Sequence, residues 1–247
     1  MKIKILYEDL NILAIDKPSG ILVHPDQKNE DKTILDLFIK KYPKVEVVHR
    51  LDKDTSGVML LAKNAKAHEF LKKQFMDRSI KKTYHAIVSG FVKNDHATIN
   101  KPIGRSPKDF RRHLAGRGVR GELREAITEY RVLKRLEIKP ADIQNFSSCA
   151  LPRVRGGTLR DKNFECPQAL TYLEIHPKTG RTHQIRVHMK FINHPVVCDS
   201  LYNPNEACPK GLNRLALHAK SIEFKNLKGK IIKIESPLPK EFKKMVK

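Results

Sequence analysis

The sequence predicts an α+β fold on three observations. Segments in which apolar residues alternate with polar ones, which is typical of strands, outnumber the segments with helical spacing. The strand candidates follow one another through short, hairpin-like connections, with only occasional helices between them. No glycine-rich phosphate loop follows any strand candidate, which argues against a doubly wound nucleotide-binding sheet. We expect residues 1–247 to form a single domain, or two closely joined lobes.

Two helices are predicted in the first third of the chain. Thr33 can cap the first, whose apolar stripe ends at Pro43, and Asn64 can cap the second, which runs to about Arg78. Residues 58–62 between them are continuously apolar, which is typical of a buried strand. Further strands are predicted at Lys2–Tyr7, Ile12–Asp16 and Thr83–Val88.

The second half of the chain adds four strands and one helix. The helix is predicted over Thr182–Asn193, because Ile185, Met189 and Ile192 recur at helical spacing. Residues 141–167 are rich in glycine, proline and polar residues, which predicts a long loop or an insertion. The strands are predicted at Ala126–Leu136, Leu170–His176, Arg214–Ala219 and Lys230–Glu235.

The charge balance predicts a polyanionic partner. Lysine and arginine total 49 against 27 aspartate and glutamate residues, which gives a formal net charge of +22. The segment Lys101–Arg124 is especially basic, and most of its cationic residues are arginine, the better phosphate binder. Aromatic residues make up only 6% of the chain, so backbone contacts with folded RNA or DNA are favoured over stacking on unpaired bases.

Several classes of protein are disfavoured. No apolar stretch approaches the roughly 18 residues that a membrane-spanning helix needs. The first residues lack the uninterrupted apolar core of a secretory signal, so we expect mature protein from the first residue. The four cysteines are scattered without a C-x-x-C pair, which favours reduced thiols in a cytoplasmic protein and no metal site.

A short polar segment before the buried strand carries the strongest chemical signal. Residues 49–57 read HRLDKDTSG, and the strand that follows can hold these side chains rigidly, as an active site requires. Asp54 suits a turn that leads into the strand. From residue type alone, a structural ion pair with Arg50 explains Asp52 at least as well as catalysis does.

A second segment supplies a candidate partner for Asp52. Residues 177–188 read PKTGRTHQIRVH, in which Gly180 ends a strand and Thr182 can cap the next helix, whose amino end attracts anions. Arg186 lies one turn along this helix beside an apolar residue, so we expect its guanidinium to be partly buried. Such a charge is tolerated mainly when a carboxylate meets it, and Asp52 is the candidate.

These segments together resemble the RluA family of RNA pseudouridine synthases. The resemblance rests on four motifs in order along the chain, and it continues through His194-Pro195 and Asp199–Tyr202. It implies the pseudouridine synthase fold, a large mixed, mainly antiparallel sheet with flanking helices and a central RNA-binding cleft. The motifs are DKPSGILVHP at 16–25, HRLDKDTSG at 49–57, KTYHAIV at 82–88 and TGRTHQIRVH at 179–188.

The resemblance also implies the activity and the roles of four residues. Asp52 would be the catalytic aspartate, Tyr84 the active-site tyrosine and Arg186 the basic partner of Asp52. Arg50 would match the arginine that family members insert where the target base has left the stack. The reaction detaches uracil from ribose at N1 and rejoins it through C5, without a cofactor. Tyr84 offers a flat face for the flipped base and a phenol that could help to remove the C5 proton.

Four further residues near the motifs are candidates for RNA binding. His49, Arg181, His183 and Gln184 are predicted either to contact RNA or to brace the pocket through hydrogen bonds, and the residue types favour neither role.

Arg111 and Arg112 belong to the basic segment Lys101–Arg124, which we predict to be a loop that closes on the RNA. The family motifs begin by residue 16, so we expect one catalytic domain without a separate RNA-binding domain before it. The expected partner is ribosomal or transfer RNA. We expect a cytoplasmic monomer with no membrane, metal ion or obligatory protein partner.

Two other functions fit part of the pattern. A non-catalytic RNA-binding or ribosome-assembly protein could keep the same scaffold, and its activity would not depend on Asp52. A glycosidase could use Asp52 and Asp54 as its carboxylate pair. Two carboxylates on one turn are, however, poorly placed to flank a glycosidic bond.

Overall fold

The computed structural model describes residues 3–25, 32–138 and 168–246. The loop predicted at 141–167 lies outside these residues. Within them, strands dominate and helices are few, as the sequence predicts. The strands are β1 (Lys4–Glu8), β2 (Ile12–Lys17), β3 (Glu46–Val47), β4 (Ser56–Ala62), β5 (Lys81–Ser89), β6 (His96–Asn100), β7 (Ile103–Arg105), β8 (His113–Ala115), β9 (Arg120–Arg124), β10 (Ile127–Ile138), β11 (Gln168–Pro177), β12 (Leu217–Lys225) and β13 (Ile231–Glu235). The helices are α1 (Ile34–Ile39), α2 (Ala65–Met76), α3 (Gln184–Phe191) and α4 (Lys240–Val246).

Ten of the described strands form one large sheet. Its main order is β1-β2-β4-β12-β5-β11-β10-β6, with β13 added to β12 and β3 added to β4. The β4–β12 pair is parallel and the other pairs are antiparallel. Strands β7, β8 and β9 pair separately as a small sheet. The predicted α+β class, with a large mixed and mainly antiparallel sheet, is therefore confirmed.

The first two helices begin where the sequence predicts. Thr33 caps α1 in a capping box: its hydroxyl accepts the N–H of Asp36 at 3.3 Å, and the Asp36 carboxylate accepts the N–H of Thr33 at 2.9 Å. Asn64 Oδ1 accepts the N–H of Ala67 at 2.9 Å and caps α2. Both helices bury apolar residues in the same core cluster as β4, which is buried along its whole length as predicted. None of the helices described here is long and apolar enough to cross a membrane.

The parallel junction between β4 and β12 depends on a glycine. Gly57 pairs with Ala219 and has a φ of +114°. A Cβ at this position would lie 2.2 Å from the carbonyl oxygen of Ala219. Only glycine allows both this φ and this approach, so Gly57 makes possible the contact that joins the amino-terminal strands to the rest of the sheet.

Three apolar clusters hold the elements together. One large cluster includes β2, β4, α1 and α2, and the other includes β5, β11, α3 and α4. A small third cluster of Ile103, Ala126, Val187 and Tyr202 packs the small sheet against α3. The segment before β4 and the turn before α3 are therefore positioned by separate parts of the core.

The structure corrects three expectations about local structure. The basic segment 101–124 is not a loop, because the small sheet runs through it; strands as short as β7 and β8 carry no periodic signal. Helix α3 begins at Gln184, and its N-cap is His183, with a φ of 54°, rather than Thr182. Strand β12 begins at Leu217 and not at Arg214.

The structure also corrects the expectation for the cysteines. Cys198 and Cys208 are joined by a disulfide, and their Cα atoms are 5.3 Å apart. The prediction of reduced thiols is therefore wrong for this pair. The chain between the two residues folds back and brings together side chains whose separation in the sequence indicated no pairing. Cys149 and Cys166 lie outside the described residues.

Candidate active site

The motifs that the sequence predicts to act together line one cleft of about 800 Å³. Its main walls are the loop 48–55 before β4, the start of β5 and the turn 177–186 between β11 and α3. Asp52, Tyr84 and Arg186, the three predicted catalytic residues, all line this cleft. Among the described residues that do so, Asp52 is the only carboxylate.

Arg186 lies between two carboxylates. Its Nη1 donates a hydrogen bond to Asp52 Oδ2 at 3.2 Å, which is the contact that the sequence predicts. Its Nε and Nη2 donate to Asp199 Oδ2 and Oδ1 at 2.7 and 2.8 Å. The Asp199 side chain is completely buried, whereas that of Asp52 is 26% exposed. Arg186 is thus anchored from behind and presents one N–H group to Asp52.

The carboxylates keep Arg186 charged inside the protein. Burial alone would lower the pKa of Arg186, but the hydrogen bonds and charge of Asp199, and then those of Asp52, raise it above its ordinary value. Asp199 is itself held in place, because its Oδ1 accepts the backbone N–H groups of Leu201 and Tyr202, both at 3.0 Å. Arg186 therefore brings a permanent positive charge to the Asp52 oxygen.

Lys17 ties the Asp52 loop to the first motif. Its side chain is fully buried, and Nζ donates to the carbonyl oxygens of Lys53 and Thr55 at 2.8 Å and of Pro18 at 3.0 Å. Burial lowers the pKa of Lys17 to about 7, although the charge of Asp52 opposes this shift. Two further hydrogen bonds join the same segments, from Gly20 N–H to Lys53 O and from Ser19 Oγ to Asp54 O.

Tyr84 lies on β5 and lines the cleft. Burial, and then the negative charge of Asp52, raise the pKa of Tyr84 above its ordinary value. The phenol therefore remains protonated at physiological pH. This favours stacking and hydrogen-bond donation by Tyr84, and it disfavours a phenolate that waits to remove a proton.

Two half-buried basic residues line the cleft together with Tyr84. Lys82 Nζ donates to the carbonyl oxygen of Thr179 at 3.3 Å, and burial lowers its pKa to about 8. His49 Nε2 accepts the backbone N–H of Leu60 at 2.9 Å, and burial lowers the pKa of His49 to about 3. His49 is therefore neutral at physiological pH and braces β4, which is one of the two roles that the sequence left open.

Gln184 fixes the turn before α3. Its Oε1 accepts the Thr179 hydroxyl at 2.7 Å and the Arg181 N–H at 3.0 Å. Its Nε2 donates to Ile127 O at 3.0 Å and to Thr128 Oγ1 at 2.9 Å. The amide thus makes all four of its hydrogen bonds inside the protein. For Gln184, the structure supports the bracing role and leaves no free group for RNA.

His183 and Tyr202 connect the small sheet to the surroundings of Arg186. The Tyr202 hydroxyl accepts the backbone N–H of His113 in β8 at 2.9 Å and lies 3.0 Å from His183 Nδ1. Burial raises the pKa of Tyr202 to about 12 and lowers that of His183. The guanidinium of Arg186 lies 5.1 Å from the centre of the Tyr202 ring. A movement of the small sheet would therefore shift Tyr202, which lies beside Arg186.

The predicted RNA-binding arginines lie in two places. Arg50 is exposed and Arg181 half-buried, and both line the cleft. Arg111 and Arg112 lie in the turn between β7 and β8, where both pair with Asp109 at N–O distances of 2.9 and 3.4 Å. They do not line the cleft.

Sequence reasoning missed the supporting role of three residues. Lys17 was interpreted as part of a turn, and Asp199 and Tyr202 entered only as the end of the resemblance. The signal that could have found Asp199 is charge balance. A buried Arg186 whose only known partner is a partly exposed carboxylate needs a second, buried one.

Comparison with known proteins gives the same picture. Residues 11–191 match the family model described as RNA pseudouridylate synthase. The chain is 34% identical to the ribosomal large subunit pseudouridine synthase D of Xanthomonas campestris pv. campestris, over 99% of this chain and 68% of that one. It is 35% identical to the protein of the same name from Pseudomonas aeruginosa, over 98% of this chain and 70% of that one. The solved structure of human RNA pseudouridylate synthase domain containing 1 matches with a TM-score of 0.72 at 22% identity, over 96% of this chain and 84% of that one.

The fold and the cleft define the class of protein, an RNA-modifying isomerase that turns a uracil base about its ribose. Within this class, the chain belongs to the RNA pseudouridylate synthase family, as its RluA-type motifs predict. The predicted family, fold and enzyme class are therefore confirmed.

Proposed function

We propose that this protein converts uridines of large-subunit ribosomal RNA to pseudouridine, with Asp52 as the catalytic carboxylate. One observation carries the proposal: Asp52 is the only carboxylate among the described residues that line the cleft, and Arg186 contacts its Oδ2. Asp54, the second acid that a glycosidase would need, does not line the cleft. The choice of ribosomal RNA is supported by the names of the Xanthomonas and Pseudomonas relatives.

The reaction exchanges one bond for another. The N1–C1′ bond of the target uridine breaks and a C5–C1′ bond forms, while C5 loses a proton and N1 gains one. Atoms and electrons balance without an oxidant, a reductant or net hydrolysis. The Asp52 oxygen holds the detached ribose or base while the uracil turns, and Arg186, fixed by Asp199, keeps that oxygen in place.

The uracil must leave its stacked position to reach Asp52, which costs a few kcal/mol. The ring of Tyr84 supplies a face on which the flipped base can stack. Arg50 enters the space that the base leaves, a role supported by its exposure and by its position next to Asp52 in the lining of the cleft. Arg181 and His183 line the wall around Arg186 and contact the RNA from that side. Phosphate contacts by Arg50 and Arg181 offset the cost of flipping.

The test compares Asp52→Asn with Asp54→Asn in the purified chain. Both substitutions remove one charge from the same loop, but only Asp52 lines the cleft. The substrate is an in vitro transcript of large-subunit ribosomal RNA from the same organism, and mass spectrometry of the digested RNA measures pseudouridine. We expect Asp52→Asn to lose about 10⁴-fold in rate with RNA binding retained, and Asp54→Asn to stay within about fivefold of wild type.

Two outcomes would overturn the proposal. An Asp52→Asn variant as active as wild type in the cell, with no pseudouridine formed by either protein, would favour the non-catalytic RNA-binding or ribosome-assembly function. Modification of transfer RNA but not of ribosomal RNA would overturn the choice of substrate. Mapping of cellular pseudouridines with and without this protein separates these outcomes.

We also propose that the chain acts alone, as a single catalytic domain and a cytoplasmic monomer, without a metal ion, a cofactor or an obligatory protein partner. The support is chemical, since the bond exchange needs no group beyond the side chains named above. An assay that contains only this chain, the transcript, monovalent salt and a chelator tests this proposal. A requirement for a metal ion or for a fraction of cell extract would contradict it.

A further inference from the structure

A second cavity, of about 410 Å³, lies beside the catalytic cleft and has no part in the reaction described above. It lies between the small sheet and the turn Gly180–Thr182, and this turn lines both cavities. A polymer chain that leaves the cleft along this wall passes directly into the second cavity.

A row of basic side chains crosses the small sheet. Arg105 in the central strand β7 pairs with Arg120 in β9 on one side and with His113 in β8 on the other. Directly paired residues place their side chains on the same face of a sheet, and all three line the cavity. Like charges at opposed positions destabilise a sheet, so Arg105 and Arg120 are unfavourable neighbours unless an anion lies against them.

The protein does not itself neutralise this row. Glu122 is the only carboxylate among the described residues that line the cavity, and Arg124 Nε lies 3.2 Å from its Oε2. In the described ranges of the chain, no carboxylate lies within 4.0 Å of Arg105 or Arg120. Burial, and then the charge of Arg105, lower the pKa of His113, so the positive field of Arg105 extends across the row.

One buried polar atom of strand β8 also lacks a partner. His113 Nδ1 is inaccessible to solvent and has no hydrogen-bond partner among the described residues. Buried polar atoms are nearly always paired in native proteins. The residues of the small sheet thus offer charge and hydrogen bonds that the protein alone does not satisfy.

We propose that the row His113–Arg105–Arg120 binds the RNA backbone, with Arg105 and Arg120 contacting phosphate groups of nucleotides next to the one flipped into the cleft. This inference rests on the proposed function, because it takes RNA as the substrate. Arginine suits the task, since its planar guanidinium offers paired N–H groups to phosphate oxygens.

The double variant Arg105→Gln/Arg120→Gln of the full chain tests the proposal. The matched control is Lys243→Gln/Lys244→Gln, which removes the same charge from exposed positions of α4. Helix α4 packs through Phe242 beside His218, and His218 pairs with His85 in β5. His85 is next to Tyr84 in the strand and therefore points to the opposite face of the sheet. Helix α4 thus lies on the face away from the cleft. The ribosomal transcript described above is the probe, and its affinity is measured over a range of salt concentrations.

We expect the dissociation constant of the double variant to rise about tenfold at physiological salt, while the control stays within about twofold. Each phosphate contact contributes about 0.7–0.9 to the slope of log affinity against log salt, so the slope for the double variant should fall by about 1.5. The rate of pseudouridine formation at saturating RNA should stay near that of wild type, because the cleft is untouched. Equal losses of affinity in the double variant and the control would overturn the proposal.

Thermal unfolding separates loss of binding from loss of folding. Removal of two opposed like charges should leave the double variant at least as stable as wild type, and more stable at low salt. A melting temperature of the double variant below that of wild type would contradict the claim that Arg105 and Arg120 repel each other.

A second measurement locates the phosphates. Once the modified uridine is mapped, synthetic RNAs with a single uncharged methylphosphonate linkage at each flanking position are compared. One linkage should weaken binding to wild type but not to the double variant, because the two changes remove the same contact. If no linkage behaves in this way, the inference fails. If pseudouridine formation requires Asp52 but RNA binding does not require Arg105 and Arg120, only this inference is refuted. If RNA binding requires Arg105 and Arg120 but no pseudouridine forms, only the catalytic function is refuted.

Discussion

Asp199 holds Arg186 from the side opposite Asp52, through two hydrogen bonds of 2.7 and 2.8 Å. Asp199 is fully buried and accepts two backbone N–H groups as well, whereas Asp52 is 26% exposed and touches Arg186 once, at 3.2 Å. Asp199 therefore holds the guanidinium in place, and the guanidinium in turn holds Asp52. Removal of each carboxylate should have a different consequence.

Asp199→Asn should destabilise the protein more than Asp52→Asn. Without the charge of Asp199, Arg186 becomes a buried cation with one weak partner, and loss of one member of a buried pair costs about 3–5 kcal/mol. Asp52→Asn should cost less than about 1 kcal/mol, because Asp52 is partly exposed. Urea unfolding measures both free energies. Equal values would contradict the division of roles, and both variants should lose activity.

Lys17→Met should lower kcat with little effect on the KM for RNA. The substitution keeps the length of the side chain but removes its three hydrogen bonds, two of which hold the Asp52 loop. A shift of this loop by about 1 Å is enough for a loss of about 10²-fold in rate. Single-turnover rates and binding measurements separate the two effects. A variant whose KM rises more than its kcat falls would show that Lys17 contacts RNA and does not act as a positioning residue.

Gly57→Ala should prevent folding or cost at least about 4 kcal/mol. The new Cβ would meet the Ala219 carbonyl oxygen at 2.2 Å in a backbone conformation that alanine avoids. Gly229→Ala is the matched control, because Gly229 also has a positive φ, of +77°, but no atom lies within 4 Å of the added carbon. It should cost only about 1–2 kcal/mol. Similar melting temperatures for the two variants would refute the close approach of residue 57 to the carbonyl oxygen of Ala219.

His218 should make stability depend on pH in the acid range. Burial, and then the charge of Arg214, lower the pKa of His218 to about 3, whereas an unfolded histidine titrates near 6.5. Between these values the unfolded chain binds a proton that the native protein does not. Stability therefore falls as the pH falls, by about 1.4 kcal/mol per pH unit.

The variant His218→Leu tests this dependence, since Ser56 Oγ keeps its hydrogen bond from Arg214 at 2.6 Å. Urea unfolding at several pH values between about 4.5 and 6.5 should give a shallower dependence than for wild type. An unchanged slope would show that His218 is protonated in the native protein.

Arg111→Glu/Arg112→Glu should weaken RNA binding and flatten its dependence on salt. These side chains lie in the turn between β7 and β8 of the small sheet, and both pair with Asp109. Reversal of their charges repels the RNA backbone and removes up to two contacts. Binding titrations at several salt concentrations give both quantities. Unchanged binding would show that the turn stays clear of the RNA.

The sequence was most informative where the signal is local. The caps at Thr33 and Asn64 and the apolar run at 58–62 are set by neighbouring residues, and each led to an element close to its observed position. The pairing of Arg186 with Asp52 was predictable because a buried cation requires an anion.

Features that depend on tertiary packing were not predictable. The small sheet has strands too short for a periodic pattern, and it is stabilised by contacts of Ile103 with Val187 and Tyr202. The role of Asp199 likewise depends on the fold that carries it to Arg186. Gln184 shows the same limit, because its residue type suits either RNA or the protein, and only its four partners distinguish them.

The pairing of Gly57 with Ala219 has a consequence for synthesis on the ribosome. The strand that follows Asp52 pairs with β2 and β3 on the amino-terminal side, but its pairing with β12 needs a strand that is synthesised long after it. A nascent chain that already contains Asp52 and Arg186 therefore has no completed sheet to carry them, and contacts so distant in sequence form late in folding. The sheet that carries Asp52 and Arg186 is therefore completed only after β12 has been synthesised.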